Sequence, residues 1–213
     1  MIEDESPTPE GESASASQLI RSAATSDLPE LLTVHREAFT GTRGVSLGNV
    51  YLRSFLRSFV VDPTALCLLA IRDRALVGYV LGEPVDNRRR SLRLAPAALF
   101  GFVTHPKVWW RPGTGRAVVG RVRSAGKGPE PEISALPSPA FALVGIGTSR
   151  REQGHGVGRA LVDAFEREAM TRGYRSMQLS VYKENEVAVR LYEGSGWHSI
   201  LDSGDALYYA KPL

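Results

Sequence analysis

The most regular pattern of apolar and polar residues lies in the last third of the chain. Phe141–Ile146 is a short apolar run, which is typical of a buried strand. Apolar residues then recur at helical spacing over 156–172, and Gly173 is placed to end that helix. Alternation over 177–181 predicts a second, half-buried strand. The pattern therefore predicts a strand, a helix and a strand in direct succession.

The end of the chain continues this alternation of elements. Asn185 is placed to cap a short helix that ends near Gly194. Leu207–Ala210 is a short apolar run, and we expect it to form the strand that closes the sheet.

The N-terminal half predicts a strand and two helices. Leu19-Ile20 is a short apolar start that indicates a first strand. Asp27 is placed to cap a helix that has Pro29 in its first turn. Apolar residues over 51–59 repeat at spacings of one, three and four, so we expect a second amphipathic helix.

Two apolar runs in the middle of the chain predict a hairpin. They are Ala65–Ile71 and Ala75–Gly82, and the short polar link between them favours antiparallel pairing. Together the elements predict a mixed α/β fold with one mostly antiparallel sheet flanked by helices. The chain has 213 residues, which suits one domain, and we place it over 18–213.

Charge is distributed unevenly along the chain. The net charge is +3, but residues 1–17 hold five acids and no Lys or Arg, which leaves +8 for the rest. We interpret 1–17 as a disordered acidic tail, because it has little to bury. Residues 86–132 carry +7 of the excess, within a basic, Gly/Pro-rich segment over 84–139. We interpret that segment as an insertion after the second hairpin strand.

Several classes of protein are excluded by simple features. No apolar run approaches the roughly 18 residues of a membrane-spanning helix, and the acidic start is unlike a signal peptide. We therefore expect a cytoplasmic protein with no membrane contact. Cys67 is the only cysteine, which excludes an internal disulfide and a Cys-based zinc cluster. Its apolar neighbours predict a buried, unreactive thiol, and we expect no metal.

The candidate chemistry is concentrated in the glycine-rich turn before the 156–172 helix. Glycines at positions 154, 156 and 158 allow the backbone to curl and bring successive N–H groups towards a ligand. A helix N-terminus adds free N–H donors and a partial positive charge. Arg150, Arg151 and Arg159 supply cations nearby, so the turn is suited to a pyrophosphate. The spacing matches neither a Walker loop nor a dinucleotide fingerprint, and three glycines alone also suit a packing turn.

A second segment, over 185–197, matches a sequence pattern that accompanies such a turn in a known family. Gln153, Gly156 and Gly158 satisfy the pattern Q/R-x-x-G-x-G/A. A second pattern follows in order and is met by Asn185, Ala188, Tyr192, Gly196 and Trp197. Together the two segments resemble the GNAT superfamily of acyl-CoA-dependent N-acetyltransferases. The resemblance is good over 143–197, looser over 20–39 and 65–82, and absent over 84–139.

The resemblance implies roles for individual residues. The turn would wrap the pyrophosphate of acetyl-CoA, and its members are Gln153, Gly154, His155, Gly156, Val157, Gly158 and Arg159. The strand end Ile146-Gly147-Thr148 would splay from its neighbour, so that the pantetheine arm pairs with the backbone and an N–H stabilises the oxyanion. Asn185 would hydrogen-bond the pantetheine arm. Tyr192 would be the general acid that protonates the CoA thiolate.

The sequence also departs from the family pattern. Arg150 and Glu152 stand where many relatives have Pro and an aromatic residue before the turn. The strand over 141–149 has no acid, although many relatives place a Glu there as the base. The base is therefore open: Glu83, Asp86 and a water relay are candidates.

Two histidines are weaker candidates for the base. His155 is expected to be exposed on the turn. A lone histidine on a helix, such as His35, is usually structural.

The resemblance implies transfer of an acetyl group from acetyl-CoA to a primary amine of a small molecule or protein, by direct attack in a ternary complex. A non-catalytic acyl-CoA-binding or regulatory module on the same fold is the alternative. The basic insertion, with Trp109-Trp110, favours an anionic acceptor or simply a solvated surface. Nucleic-acid binding is not expected, because no recognisable module is present. A monomer or a homodimer is expected.

Overall fold

The computed structural model describes residues 18–39, 48–85 and 135–213. The predicted acidic tail over 1–17 lies outside these ranges. So do Asp86 and the 86–134 portion of the predicted insertion, including Trp109-Trp110.

Seven strands and four α-helices make up the described part of the chain. The strands are β1 (Leu19–Ser22), β2 (Leu66–Arg72), β3 (Ala75–Pro84), β4 (Ala140–Thr148), β5 (Ser176–Tyr182), β6 (His198–Ser203) and β7 (Ala206–Pro212). The helices are α1 (Leu28–Ala38), α2 (Gly48–Val61), α3 (Val157–Thr171) and α4 (Glu186–Gly194). The strands and helices predicted from the apolar pattern are confirmed.

The strands form one sheet in the order β1-β2-β3-β4-β5-β7-β6. All neighbouring pairs are antiparallel except β4 and β5, which are parallel. This confirms a mixed α/β fold with a mostly antiparallel sheet. The predicted last strand is β7, but it lies inside the sheet. The strand at this edge of the sheet is β6, which the sequence pattern did not predict because both of its faces are largely open to solvent.

The sheet separates two hydrophobic cores. On one face α1 and α2 pack against β2 and β3, and this core contains Leu31, Leu56, Tyr79 and Leu81. On the other face α3 and α4 cover the sheet, and this core contains Leu161, Phe165, Tyr192 and Trp197.

Cys67 is buried as predicted, and burial raises the pKa of its thiol to about 12. None of the helices in the described ranges is long and apolar enough to span a membrane.

The connection between β3 and β4 starts and ends at neighbouring positions of the sheet, because the end of β3 lies beside the start of β4. Val85 N–H donates to the Ala140 carbonyl at 3.2 Å, directly beyond the paired residues Pro84 and Phe141. The segment between Val85 and Ala140 is thus attached at the N-terminal end of β4. The glycine-rich turn follows the opposite, C-terminal end of that strand.

Candidate active site

The two parallel strands separate part-way along their length. β4 pairs with β5 at only three positions, the last being Ala142 with Gln178. Beyond this point β4 stays paired with β3 up to Thr148, while β5 stays paired with β7 up to Tyr182. The backbone groups that the two strands turn towards each other therefore lose their partners and line a wedge-shaped gap. The predicted residues Ile146, Gly147 and Thr148 lie on its β4 wall.

A β-bulge lies in the β4 wall of this gap. Leu81 of β3 pairs with Gly145, whereas the next residue, Gly82, pairs with Leu143. Val144 is therefore the extra residue, and its side chain is 40% exposed although it is apolar. A bulge redirects the neighbouring backbone groups. Sequence reasoning missed it, because Val144 sits within an uninterrupted apolar run.

Gly147 allows α1 to approach the floor of the gap. A Cβ atom at this position would lie 2.8 Å from Cε1 of Tyr79 and 3.0 Å from Cβ of Ala38. Both distances are shorter than ordinary carbon contacts, so a side chain here would push α1 away from β4.

The glycine-rich turn begins after a short 3-10 helix, Arg150–Glu152. Gly154 and Gly156 have φ values of 83° and 79°, which side chains strongly disfavour. No atom lies within 4 Å of a Cβ built at either position, so they are required for backbone conformation rather than for space. The same open surroundings leave this surface accessible to a ligand.

The helix N-terminus leaves backbone donors free at this surface. Gly156 caps α3 without a side chain, and the first hydrogen bond of the helix runs from Ala160 N–H to the Gly156 carbonyl at 3.0 Å. The N–H groups of residues 156–159 therefore have no acceptor within the helix. Gln153 and His155 are exposed beside them, as are Arg150 and Arg151. Free donors, the helix dipole and nearby cations together suit a phosphate anion.

Asn185 and Tyr192 come from the element that follows β5. Asn185 caps α4: its Oδ1 accepts the Ala188 N–H at 3.2 Å, which leaves its amide hydrogens as donors at an exposed position. Tyr192 is 4% exposed, and its ring lies 6.0 Å from that of Trp197 and 6.4 Å from that of Tyr209, measured between centroids. Burial raises the pKa of Tyr192 above its ordinary value, so the phenol keeps its proton at neutral pH.

The model of the acetyltransferase (GNAT) family matches residues 28–197 of this chain, which is most of its length. The chain belongs to the GNAT acetyltransferase family.

Solved GNAT structures share the fold at low identity. PaiA N-acetyltransferase from Thermoplasma acidophilum, in complex with coenzyme A, aligns with a TM-score of 0.56 and 16% identity over 92% of this chain and 99% of that one. The ribosomal-protein-S18-alanine N-acetyltransferase from Escherichia coli gives 0.56 and 16% over 92% and 94%. The polyamine N-acetyltransferase from Drosophila melanogaster, which forms N-acetylagmatine, gives 0.62 and 14% over 92% and 100%. No curated protein sequence matches the chain as a relative.

The acetyltransferase departs from the family pattern at the start of the turn, and the structure shows what replaces that pattern. Glu152 lies where many relatives have an aromatic residue, and its Oε2 is 2.5 Å from an Arg72 guanidinium nitrogen at the end of β2. Arg72 also donates to the side-chain oxygen of Gln18 at 3.1 Å. An ion pair with the sheet thus anchors the 3-10 helix that leads into the turn.

The side chain of Arg159 does not point into the turn of this GNAT domain. Its guanidinium donates to the Gly194 carbonyl at the end of α4 and to Asp163 at 3.1 Å. Only its backbone N–H faces the turn. Gly158 reinforces the same contact, because a Cβ there would lie 3.4 Å from Cδ2 of Leu191. The third glycine therefore lies where α3 contacts α4, whereas the first two shape the turn.

The candidate bases of the acetyltransferase differ in their surroundings. Glu83 is half-buried near the end of β3 and pairs with Ala142, where β4 and β5 separate. Strand alternation places it on the α1–α2 face together with Tyr79 and Leu81. Asp86 lies outside the described residues.

His35 is neutral at pH 7 and is hydrogen-bonded to Tyr79. The Tyr79 hydroxyl and Nδ1 of His35 share a hydrogen bond at 2.5 Å, and burial lowers the pKa of His35 to about 4. Burial among aromatic rings therefore disfavours the charged form that a general base must adopt. No group of three or more potential metal ligands occurs within the described ranges.

Proposed function

We propose that this acetyltransferase transfers the acetyl group of acetyl-CoA to a primary amine by direct attack in a ternary complex. The observation that carries the proposal is the end of β4–β5 pairing at Ala142 and Gln178, beside a helix N-terminus with free N–H groups. An extended chain with amide groups can pair with the open strand edges. A pyrophosphate can bind the N–H groups of residues 156–159. Acetyl-CoA combines both features.

The residues around the gap take distinct parts in binding. Backbone groups of β4 beyond Ala142 pair with the pantetheine arm, and the amide hydrogens of Asn185 donate to it. The turn over 153–159 holds the pyrophosphate through backbone N–H groups. Exposed Arg150 and Arg151 add attraction that depends on salt concentration.

The reaction balances with the groups present. The neutral amine attacks the thioester carbonyl carbon, and a backbone N–H of the β4 wall stabilises the oxyanion that forms. The carbon–sulfur bond then breaks, and Tyr192 donates its phenolic proton to the departing thiolate. The proton lost by the amine passes to Glu83, to Asp86 or through water. Tyr192 recovers its proton from solvent after CoA leaves.

The acceptor is a primary amine of a small molecule or a protein. The names of the structural neighbours include both classes, a ribosomal protein and a polyamine. The net charge of +7 over residues 86–132 supports an anionic group elsewhere on the acceptor. We propose that the protein is cytoplasmic and acts as a monomer or a homodimer.

Release of CoA thiol, measured over a panel of amines, tests the proposal. Tyr192→Phe should bind acetyl-CoA as the wild type does and release thiol roughly 100-fold more slowly or worse, because general acid catalysis is lost. Tyr174→Phe is the matched control: its ring packs against Phe141, away from the gap. Wild-type turnover by Tyr192→Phe would remove the general-acid assignment.

Two other outcomes of the same assay are informative. Tight binding of acetyl-CoA without turnover on any amine would favour a non-catalytic acyl-CoA-binding module. Absence of acetyl-CoA binding would overturn the proposal as a whole.

A further inference from the structure

The indole of Trp197 packs against Tyr192 and is held by a hydrogen bond at its edge. Trp197 is 2% exposed, and its backbone N–H donates to the Tyr192 carbonyl at 3.1 Å. Its ring Nε1–H donates to Oε1 of Glu166, on α3, at 2.8 Å. The ring that packs against Tyr192 is therefore fixed both through the backbone and through its edge.

Glu166 is in turn fixed by a cation. Its second oxygen accepts from Nζ of Lys211 on β7 at 2.7 Å, and the same Nζ donates to the Ser195 carbonyl at 2.8 Å. The Glu166 side chain is 12% exposed and that of Lys211 is 26% exposed, so solvent screens the pair only partly. One carboxylate thus connects α3, β7 and the loop that follows α4.

The arrangement does more than fill space. An aromatic residue satisfies the family pattern at position 197, and a phenylalanine would fill the core without an N–H to satisfy. This chain has an indole and supplies a partly buried carboxylate as its acceptor. The edge-on hydrogen bond limits rotation of the indole plane, and the neighbouring Tyr192 ring must pack against that plane.

We propose that Glu166 is a positioning residue for Tyr192, acting through Trp197. The hydrogen bond orients the indole, and the indole keeps the Tyr192 phenol directed at the departing thiolate. This inference rests on the proposed function, in which Tyr192 donates a proton. Lys211 takes part by holding the Glu166 carboxylate in place.

Two variants remove the hydrogen bond from opposite ends. Glu166→Leu removes the acceptor, and Trp197→Phe removes the donor while keeping an aromatic ring. Both should lower kcat roughly tenfold or more, since small misplacements of a catalytic group are costly, with KM for acetyl-CoA within about twofold of wild type. Glu166→Gln, which keeps an oxygen acceptor for the indole, should recover much of kcat. Glu168→Gln is the control: it lies on the same helix but pairs with Arg172 at 2.9 Å.

The Tyr192→Phe background separates positioning from general stability. A phenylalanine has no proton to donate, so Glu166→Leu or Trp197→Phe should cause no further loss of rate there. Equal loss in both backgrounds, or an unchanged kcat in the single variants, would overturn the inference. If Glu166→Leu does not fold, Trp197→Phe carries the same test. Full activity of Tyr192→Phe alone would instead overturn the proposed function.

Discussion

The guanidinium of Arg72 lies 2.5 Å from the carboxylate of Glu152, and the pair joins the end of β2 to the start of the glycine-rich turn. Both side chains are largely shielded from solvent, so the ion pair is stronger than one on the open surface. It also neutralises an acid that stands close to the proposed pyrophosphate site.

Arg72→Met should weaken acetyl-CoA binding by roughly tenfold. The change frees the turn from the sheet and leaves the Glu152 charge uncompensated, and both effects oppose an anionic ligand. Glu152→Gln should cost less than about threefold, because the amide keeps an acceptor for Arg72 and removes the repulsion. Titration calorimetry with acetyl-CoA measures both.

Arg21→Met is the control for this pair, since Arg21 pairs with Asp27 beside α1 instead. A larger loss for Glu152→Gln than for Arg72→Met would contradict the anchoring role.

Gly158, in the first turn of α3, should tolerate a large side chain poorly. Gly158→Val would press on Leu191 and destabilise the protein by about 1–3 kcal/mol, the usual cost of overpacking. The second change Leu191→Ala should recover part of that loss by making room. Urea unfolding of the single and double variants measures the recovery, and purely additive losses would show that the two positions do not press on each other.

Asn185 should show two separable contributions. Asn185→Ala removes the cap of α4 and should lower the free energy of unfolding by about 1 kcal/mol. Asn185→Asp keeps an acceptor for the Ala188 N–H and should retain that stability. Both variants lose the amide hydrogens, so both should raise KM for acetyl-CoA. Urea unfolding and initial-rate kinetics check the two parts, and an unchanged KM in Asn185→Asp would rule out the ligand contact.

Protonation of His35 should destabilise the fold in mild acid. Burial lowers the pKa of His35 to about 4, whereas the unfolded chain binds the proton near 6.5. The unfolded state therefore holds more protons between these values, and stability is complete above about pH 6.5 and falls as pH decreases towards 4. The contribution lost between about pH 7.5 and pH 5 is roughly 2 kcal/mol.

His35→Gln isolates this contribution, because glutamine can form a hydrogen bond with Tyr79 but does not titrate in this range. Urea unfolding of both proteins at the two pH values gives the difference. Equal pH dependence in wild type and variant would show that His35 does not titrate as its burial requires.

The elements that could be predicted from the sequence are those in which burial leaves a pattern. β2 and β4 are apolar runs, and α3 and α4 carry stripes, because each packs at least one face into a core. β6 has no such pattern: it is an edge strand whose residues are mostly accessible, so its position follows from pairing with β7 alone.

The features of the candidate site also fall into two groups, those that a local sequence pattern marks and those that depend on distant residues. The donors of the turn and the cap of α4 are local, so glycine spacing and Asn185 predicted them. Asp27 stands at the N-cap position of α1 as predicted, but its carboxylate binds Arg21 and the Ala24 N–H instead of capping the helix. The bulge at Val144 and the side-chain direction of Arg159 depend on partners that lie far away in sequence. The pairing of Arg72 with Glu152 joins residues 80 positions apart, and no local pattern marks it.

The hydrogen bond between Val85 and Ala140 has a consequence for how such a domain can change over time. This hydrogen bond closes the end of the paired region of β3 and β4. The register of the two strands therefore does not depend on the number of residues between Val85 and Ala140. Lengthening a loop costs free energy only logarithmically. Natural selection can therefore change the length of the basic segment while the pairing of β3 with β4, and with it the gap beyond Ala142, stays the same.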